Sequence, residues 1–478
     1  MKSIKDQSLY GVKWNALGLF ATKGVNFILG LIIARLLMPD DYGVIAMLGV
    51  FMAIAQAFVD CGFGNALIRK IDRTEVDCST AFYFNVAVGL LSYSVLFISA
   101  PYIANFYDMP VLTDVVRVFS LTLFINSFGI VPRALRSIVV DFKSQAYASV
   151  LSAIGSGLLG LYLAYNGYGV WALVWQAVFA SLLSVIIIWF LAKWKPSWCY
   201  SWRSFKGMFS YGCKLLASGL LHTVYSHASI LVIGKFYTPA ELGFYDRGNK
   251  IASFPSLRFS EVMHGVTFPI LAKLQQDNQR LIHVYYQYMA MISMVVFFIM
   301  TLLFVVAKPL VEILLTEKWM GAVPFLQLFC LAYMFDSICQ LNNNLLFVKG
   351  WSGLFLKLEI IKKVIIIPVF LLAIHYGVMA ICFVAVIHTF VDILCSSYYI
   401  RKLLAAEVRR YVWLAKYFLL SVLACSPAYF LGELNLSPWT TLSMGLVISI
   451  VIYRLFLWRD ENMKECLEML SSLIPLKR

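Results

Sequence analysis

Charge is what this sequence has least of. Only 13% of its 478 residues are Asp, Glu, Lys or Arg, against about a quarter in a soluble globular chain. The rest is dominated by apolar side chains, 61% of the total, with a mean hydropathy of +0.80. So little charge excludes any substantial mass outside a membrane. Paired cysteines are also missing. The ten cysteines lie singly, most inside apolar runs, as Cys330, Cys382 and Cys395 do. With no CxxC or metal spacing they read as small buried residues, not as a disulfide or metal framework. No ten-residue alternation of apolar and polar positions occurs, which excludes a transmembrane β-barrel. Nor is there a glycine-rich phosphate loop, a DxD, or an acidic pair in a loop. The longest non-helical stretch, about 193–208, is basic and aromatic. Nucleotide hydrolysis and sugar transfer are therefore not expected, and the protein reads as a non-enzyme.

What is present is a succession of apolar runs, each long enough for the roughly 20 residues that a membrane helix needs. In hydrocarbon the backbone must satisfy its own hydrogen bonds, so continuous Leu/Ile/Val/Phe runs predict helices. Hydropathy predicts about fourteen, near residues 10–36, 43–68, 79–104, 113–138, 145–165, 169–192, 209–235, 243–270, 283–307, 321–347, 353–375, 378–400, 411–431 and 438–458. The first follows a stretch with no A-x-A-like cleavage site and reads as a retained span. Loop charge alternates. One set holds Lys2, Lys5, Arg69, Lys70, Arg73, Arg133, Arg136, Lys143, Lys193, Lys195, Arg203, Lys206, Lys273, Arg280, Arg401, Lys402, Arg409, Arg410, Lys477 and Arg478. The other is sparse or acidic. The positive-inside rule then expects both termini in the cytoplasm. That face takes up much of the +14 net charge, so no nucleic-acid partner is needed.

Short motifs recur in order. "YGVK" at 10–13 returns as "YGCK" at 211–214, "PDDYG" at 39–43 as "PAELG" at 239–243, and "YGVWA" at 168–172 as "YGVMA" at 376–380; Pro101 opens a loop much as Pro309 does. The offsets are 201, 200, 208 and 208. A duplicated six-helix unit is predicted, with lobes 1–200 and 205–403 and two further helices with a cytoplasmic tail over 408–478. Six spans is an even number, so the copies are parallel repeats, an arrangement found in transporters whose substrate site lies between halves. In the repeated loop, Pro stops one helix, Asp40 and Asp41 favour the start of the next, and Gly43 permits a tight reversal.

The stretches "ARLLMPDDYGVIAM", "VDCGFGNALIRK", "VPRALR…DFK" and "YGVWALV" resemble the polysaccharide flippases of the multidrug/oligosaccharidyl-lipid/polysaccharide exporter superfamily. The resemblance is to the bacterial branch that exports capsule, O-antigen and exopolysaccharide repeat units, and it covers about residues 1–405. It implies twelve core helices in two lobes around an inverted-V cavity, with the last two helices an appendage. It also implies alternating access that moves undecaprenyl-pyrophosphate-linked oligosaccharide to the outer leaflet of the bacterial inner membrane. Membrane lipids, a polysaccharide polymerase and glycosyltransferases are the implied partners.

A charge at mid-membrane costs about 2.5–3.5 kcal/mol on insertion scales, so it faces a cavity or a partner. Lys23 lies thirteen residues into the first span, about 15–20 Å down its axis at 1.5 Å per residue, with Asn26 on the same face. Asp60 forms a polar stripe with Gln56 and Gly64, and at offset 201 it falls on Glu261, with Arg258 one turn before. Glu359 can reach Lys362 and Lys363, leaving one surplus positive charge. Lys23, Asn26, Arg258, Lys362 and Lys363 are the candidate cavity residues for a pyrophosphate, since Lys and Arg both bind phosphate. Asp60, Glu261 and Glu359 pair with these cations or bind a coupling H⁺ or Na⁺; pairing is favoured, and no cofactor is expected. Lys13, Arg35, Lys214 and Lys235, near span ends, read as snorkelling residues. His222 and His227 are too poorly spaced for a metal. Asn342–Asn344 line the second lobe or end a helix. Asp336 and Asp392 are single acids whose partners the sequence does not give. Trp194, Trp198 and Trp202 read as an amphipathic interfacial segment.

The reading is an all-α polytopic membrane protein and a lipid-linked oligosaccharide flippase. The alternatives are a cation-coupled drug or small-molecule antiporter, which a cavity rich in Lys and Arg argues against, and a membrane polymerase, which the missing catalytic loop argues against.

Overall fold

The computed structural model describes residues 4–60, 62–404, 412–432, 434, 437–458, 460 and 462, and among them every regular element is helical. Arg409, Arg410, Lys477 and Arg478 and the tail from 463 lie outside the described residues, as do the side chains of Lys5, Lys13, Lys214 and His222. The chain divides into two compact units, Met1–Gly243 and Phe244–Arg478.

The first unit holds α1 (Ile4–Leu36), α2 (Pro39–Asp60), α3 (Phe63–Arg69), α4 (Glu75–Tyr107), α5 (Val111–Phe119), α6 (Leu121–Ser127), α7 (Ile130–Ile138), α8 (Phe142–Tyr165), α9 (Val170–Ala192) and α10 (Trp202–Phe236). Here α1 lies along α8, α8 along α9, and α10 against α2. Thus α10, the opening helix of the second sequence repeat, packs within the first unit. Two expected spans are interrupted. The second breaks after Asp60, where Gly62 takes φ +68° before α3 begins, a backbone state that costs glycine little. The fourth divides into α5, α6 and α7. Its serines and threonine bond backward to carbonyls three residues earlier: Ser120 to Arg117, Thr122 to Phe119 and Ser127 to Phe124 at 3.2, 2.8 and 2.6 Å. Such local bonds compete with the helical ladder. Pro101 opens no loop. It sits inside α4, which runs on to Tyr107, because membrane helices tolerate proline where neighbours re-satisfy the backbone.

The expected interfacial segment is irregular over 193–201, not helical. Ser197 and Ser201 donate their backbone N–H groups to Ser79 Oγ and Thr80 Oγ1, each at 3.0 Å, which ties the segment to the second turn of α4. Trp194 enters a cluster of aromatic rings with Phe82 and Trp189, whereas Trp198 is 97% exposed.

The repeated loop has a physical basis at each position. In each copy proline is the first helical residue and the acid is the third. Asp41 Oδ2 accepts the backbone N–H of Met38 at 3.0 Å. Glu241 Oε2 accepts that of Thr238 at 3.1 Å, while Thr238 Oγ1 accepts the N–H of Glu241 at 3.3 Å. These are capping interactions. The fifth residue is glycine for a reason the sequence did not reveal. Gly43 is helical, without the positive φ of a reversal. Instead, a methyl group on Gly43 would lie 1.8 Å from the carbonyl oxygen of Pro239, and one on Gly243 would lie 2.1 Å from that of Pro39. The two copies of the loop touch each other, and no Cβ fits between them.

The second unit comprises α11 (Pro239–Lys273, its first turn in the first unit), α12 (Asn278–Val305), α13 (Ala307–Leu315), α14 (Val323–Val348), α15 (Ser352–Ala373), α16 (Val378–Leu404), α17 (Val412–Gly432) and α18 (Pro438–Leu457). Interhelical hydrogen bonds, common between membrane helices, tie it together. Tyr285 Oη donates to Asn342 Oδ1 at 2.7 Å, and Asn342 Nδ2 donates to Ser396 Oγ at 2.8 Å, joining α12, α14 and α16. Asn344 Nδ2 donates to Thr267 Oγ1 of α11 at 3.3 Å. The helices expected as an appendage pack into this unit, α17 on α12 and α18 on α13.

Eleven helical segments among the described residues are long and apolar enough to cross a membrane. Helices α10, α11 and α15 have 35, 35 and 22 residues but carry internal charges, and the fourteen-span count rests on them. The protein is a polytopic all-α membrane protein.

Candidate functional site

Each unit has its own polar cluster, set by different elements, exposed in part in the first and deeper in the second.

In the first unit, Lys23 and Asn26 share an exposed face of α1, and Lys23 makes no ion pair among the described residues. The expected pairing with Asp60 does not occur. Gln56 Nε2, one turn earlier on α2, donates to Asp60 Oδ1 at 2.9 Å, and the charge facing Asp60 is Arg133 of α7. Arg133 Nη2 in turn donates to Ser184 Oγ of α9 at 3.0 Å. Gln145 of α8 donates to the carbonyl of Arg133 at 3.3 Å and to Ser137 Oγ at 2.9 Å. Arg133 thus links α2, α7, α8 and α9. Sequence reasoning counted it as a loop charge because it stands near the end of an apolar run. Arg136, one turn on, shares its face of the helix, so the spacing of the pair gives no signal that separates them.

Arg136 closes the turn below. Its Nη1 donates to Asp141 Oδ2 at 2.9 Å, and Asp141 caps α8 by accepting from Ser144 N and Oγ at 3.1 and 2.7 Å. Burial raises the Asp141 carboxyl, but the Ser144 hydrogen bonds and the Arg136 charge more than offset this. Its pKa lies below the usual carboxylate range.

In the second unit the duplicated acid has a different partner. Arg258 Nη1 donates to Glu261 Oε2 at 2.6 Å along one face of α11, with both side chains partly exposed. Its charge is balanced within its own helix.

The deeper cluster joins α14, α15 and α16. Glu359 accepts from Lys362, and Lys363 Nζ lies 3.4 Å from its other oxygen. Lys362 is 2% exposed, and its Nζ also lies 3.0 Å from Asp392 Oδ1 of α16. On α14, Asp336 Oδ2 accepts from Gln340 Nε2 at 3.2 Å, within electrostatic reach of Asp392 and Lys362. His388 stands one turn from Asp392. The surplus positive charge expected on the eleventh span is therefore absent: Asp392 and Asp336, the two acids without assigned partners, meet it. Three carboxyl groups, Glu359, Asp392 and Asp336, thus meet two lysines, so acids outnumber bases in the cluster. Beside Gln340 lies a void of about 10 Å³, lined by Phe259, Met263, Ile292 and Leu341 as well as by Ser260, Ser337 and Asn344, roughly the room one water takes. Among the described residues no His/Cys/Asp/Glu group has the geometry of a metal centre.

The backbone has known counterparts. The structure of the lipid II flippase MurJ in its inward closed conformation superposes with a TM-score of 0.75 at 12% identity, over 92% of this chain and 98% of that one. At that identity the likeness is one of fold. By sequence, the chain is 26% identical over 364 residues to the teichuronic acid biosynthesis protein TuaB of Bacillus subtilis, covering 74% of each. It is 23% identical over 440 residues to the lipopolysaccharide biosynthesis protein WzxC of Escherichia coli, covering 89% of this chain and 88% of that one. The profile of the polysaccharide biosynthesis protein family matches residues 32–324. That is more than half of the sequence, and the chain belongs to the polysaccharide biosynthesis protein family.

Proposed function

We propose that the protein is a flippase that carries lipid-linked oligosaccharide repeat units across the bacterial inner membrane by alternating access, for polysaccharide export. One observation carries this reading: a chain of a polysaccharide biosynthesis family has, over 92% of its length, the fold of a lipid II flippase. We assign an undecaprenyl-pyrophosphate carrier, whose anionic head needs a cation that water and substrate can reach. Lys23 meets that need, being exposed and without an ion pair among the described residues, and Asn26 adds amide donors one turn on. Arg258 is a secondary contact that must first exchange with Glu261. Lys362 and Lys363, held by carboxylates, are assigned to coupling with Glu359, Asp336 and Asp392. With acids in excess of lysines there, a proton or Na⁺ has a carboxyl group to bind. Both termini are assigned to the cytoplasm from the loop charges. Glycosyltransferases and a polymerase act before and after transport, and the protein itself makes and breaks no bond.

The test uses proteoliposomes containing an undecaprenyl-pyrophosphate oligosaccharide, with a membrane-impermeant lectin outside. Glycan from the inner leaflet should become exposed only when protein is present, and faster under an imposed H⁺ or Na⁺ gradient. Equal exposure in protein-free vesicles would overturn the reading. The carboxylate surplus of α14–α16 favours one alternative, a cation-coupled small-molecule antiporter. Efflux of a fluorescent organic cation from the same vesicles, without glycan exposure, would establish it.

A further inference from the structure

On the flank of the first unit, α6 and α9 enclose a groove of about 1000 Å³ that opens sideways. Its walls are apolar: Phe124 and Phe128 on one side, Leu182, Ile186 and Phe190 on the other. At one end stand Lys193 and Lys195. Trp189 Nε1 donates to the carbonyl of Phe128 at 3.0 Å and fastens the two walls together there. Lys193 takes a left-handed backbone, φ +51°, which ends α9 and turns the chain across the mouth. Both lysines are exposed, and neither makes an ion pair among the described residues. The neighbouring carboxylate of Glu75 is occupied by the Trp194 indole, which donates to Oε2 at 3.0 Å.

We propose that this groove holds one anionic phospholipid of the leaflet bordering Lys193, its phosphate on Lys193 and Lys195 and an acyl chain along α9. Depth and charge both fit. From Leu182 to Phe190 is eight residues, about 12 Å of helix, close to the roughly 15 Å hydrocarbon depth of one leaflet. Two unneutralised ammonium groups at headgroup level select a negative head, each contributing about fivefold in affinity. The tryptophans sit where interfacial aromatic residues collect. The site is independent of the transported molecule.

Purified, delipidated full-length protein is given equimolar phosphatidylglycerol and phosphatidylcholine of identical chains, and adducts are counted by native mass spectrometry. The phosphatidylglycerol adduct should exceed the phosphatidylcholine adduct by roughly fivefold with one lysine engaged and about 25-fold with both. Lys193→Gln/Lys195→Gln should remove the preference, and Lys193→Arg/Lys195→Arg should keep it. Ile186→Trp, which fills the groove, should lower both adducts. Equal binding of the two lipids by the unaltered protein would overturn the proposal, as would an undiminished preference in the Gln variant. Displacement of phosphatidylglycerol by equimolar undecaprenyl phosphate would reassign the groove to the carrier lipid and equally defeat it. If the Gln variant fails to fold, the unaltered protein, the Arg variant and Ile186→Trp still decide.

Discussion

Lys362 Nζ stands 3.0 Å from Asp392 Oδ1 on the neighbouring helix, while Glu359 holds it from its own. At 2% exposure this lysine is the neutralising centre of the α14–α16 cluster. Removing one member of a buried pair costs about 3–5 kcal/mol, because the other charge is left stranded. Lys362→Ala should therefore lower folded yield and melting temperature in detergent, and Lys362→Ala/Asp392→Asn should recover part of the loss. Lys363→Ala, at a partly exposed pair, should cost under about 1 kcal/mol.

The cavity assignment separates Lys23 from structure. Asp60 has Gln56 and Arg133, not Lys23, as its partners, so Lys23→Ala strands no carboxylate. It should leave protein abundance unchanged and abolish glycan export, while Lys23→Arg keeps part of it. Undiminished export by the Ala variant, measured with the protein at normal levels, would remove Lys23 from the substrate path.

Arg133 carries the opposite expectation. Arg133→Gln should reduce abundance, and a cycle of Asp60→Asn with Arg133→Gln should show a coupling energy of roughly 0.5–3 kcal/mol. Additive losses in thermal melts would show that the two charges do not interact.

Asp141 provides a pH test. Its folded carboxyl titrates below the ordinary value of 3.8. A depressed acid stabilises the fold above its unfolded pKa, and the contribution is lost as pH falls through the folded value. The melting difference between the protein and Asp141→Asn should be full at neutral pH and shrink on acidification below about 4. A difference that stays constant down to pH 3 would exclude the ionised cap.

Gly43→Ala and Gly243→Ala should each cost more than the roughly 1–3 kcal/mol of ordinary overpacking, because the obstacle is backbone. Gly49→Ala, on the same helix with nothing within 4 Å of the added methyl, is the control and should be tolerated in a folded-yield assay.

What the sequence made legible follows the range of its interactions. Spans, caps and same-helix pairs are local. The Glu359 contacts to Lys362 and Lys363 and the Arg258–Glu261 pair follow from helical spacing alone. Partners on other helices do not. Asp392 and Asp336 read as isolated acids because the residue that answers them lies on α15, and Arg133 read as a surface charge because hydropathy locates a residue along a span but not around it. The division of the fourth span escaped notice for another reason. Ser120, Thr122 and Ser127 are apolar enough on average to continue a run, while their hydroxyls compete for its carbonyls. Gly43 was assigned the wrong cause, conformational freedom in place of closeness to a segment two hundred residues away.

That closeness is reciprocal. Pro39 approaches Gly243 as Pro239 approaches Gly43, so each copy of the loop motif is complementary to the other. Self-complementarity of this kind is the mark of a homodimer, where one surface patch serves both partners. A half-length chain carrying one such loop would have the contact with which to pair with a second copy of itself. The proline, the acid and the glycine of the two loops are constrained together, since a side chain admitted on one loop must find room on the other.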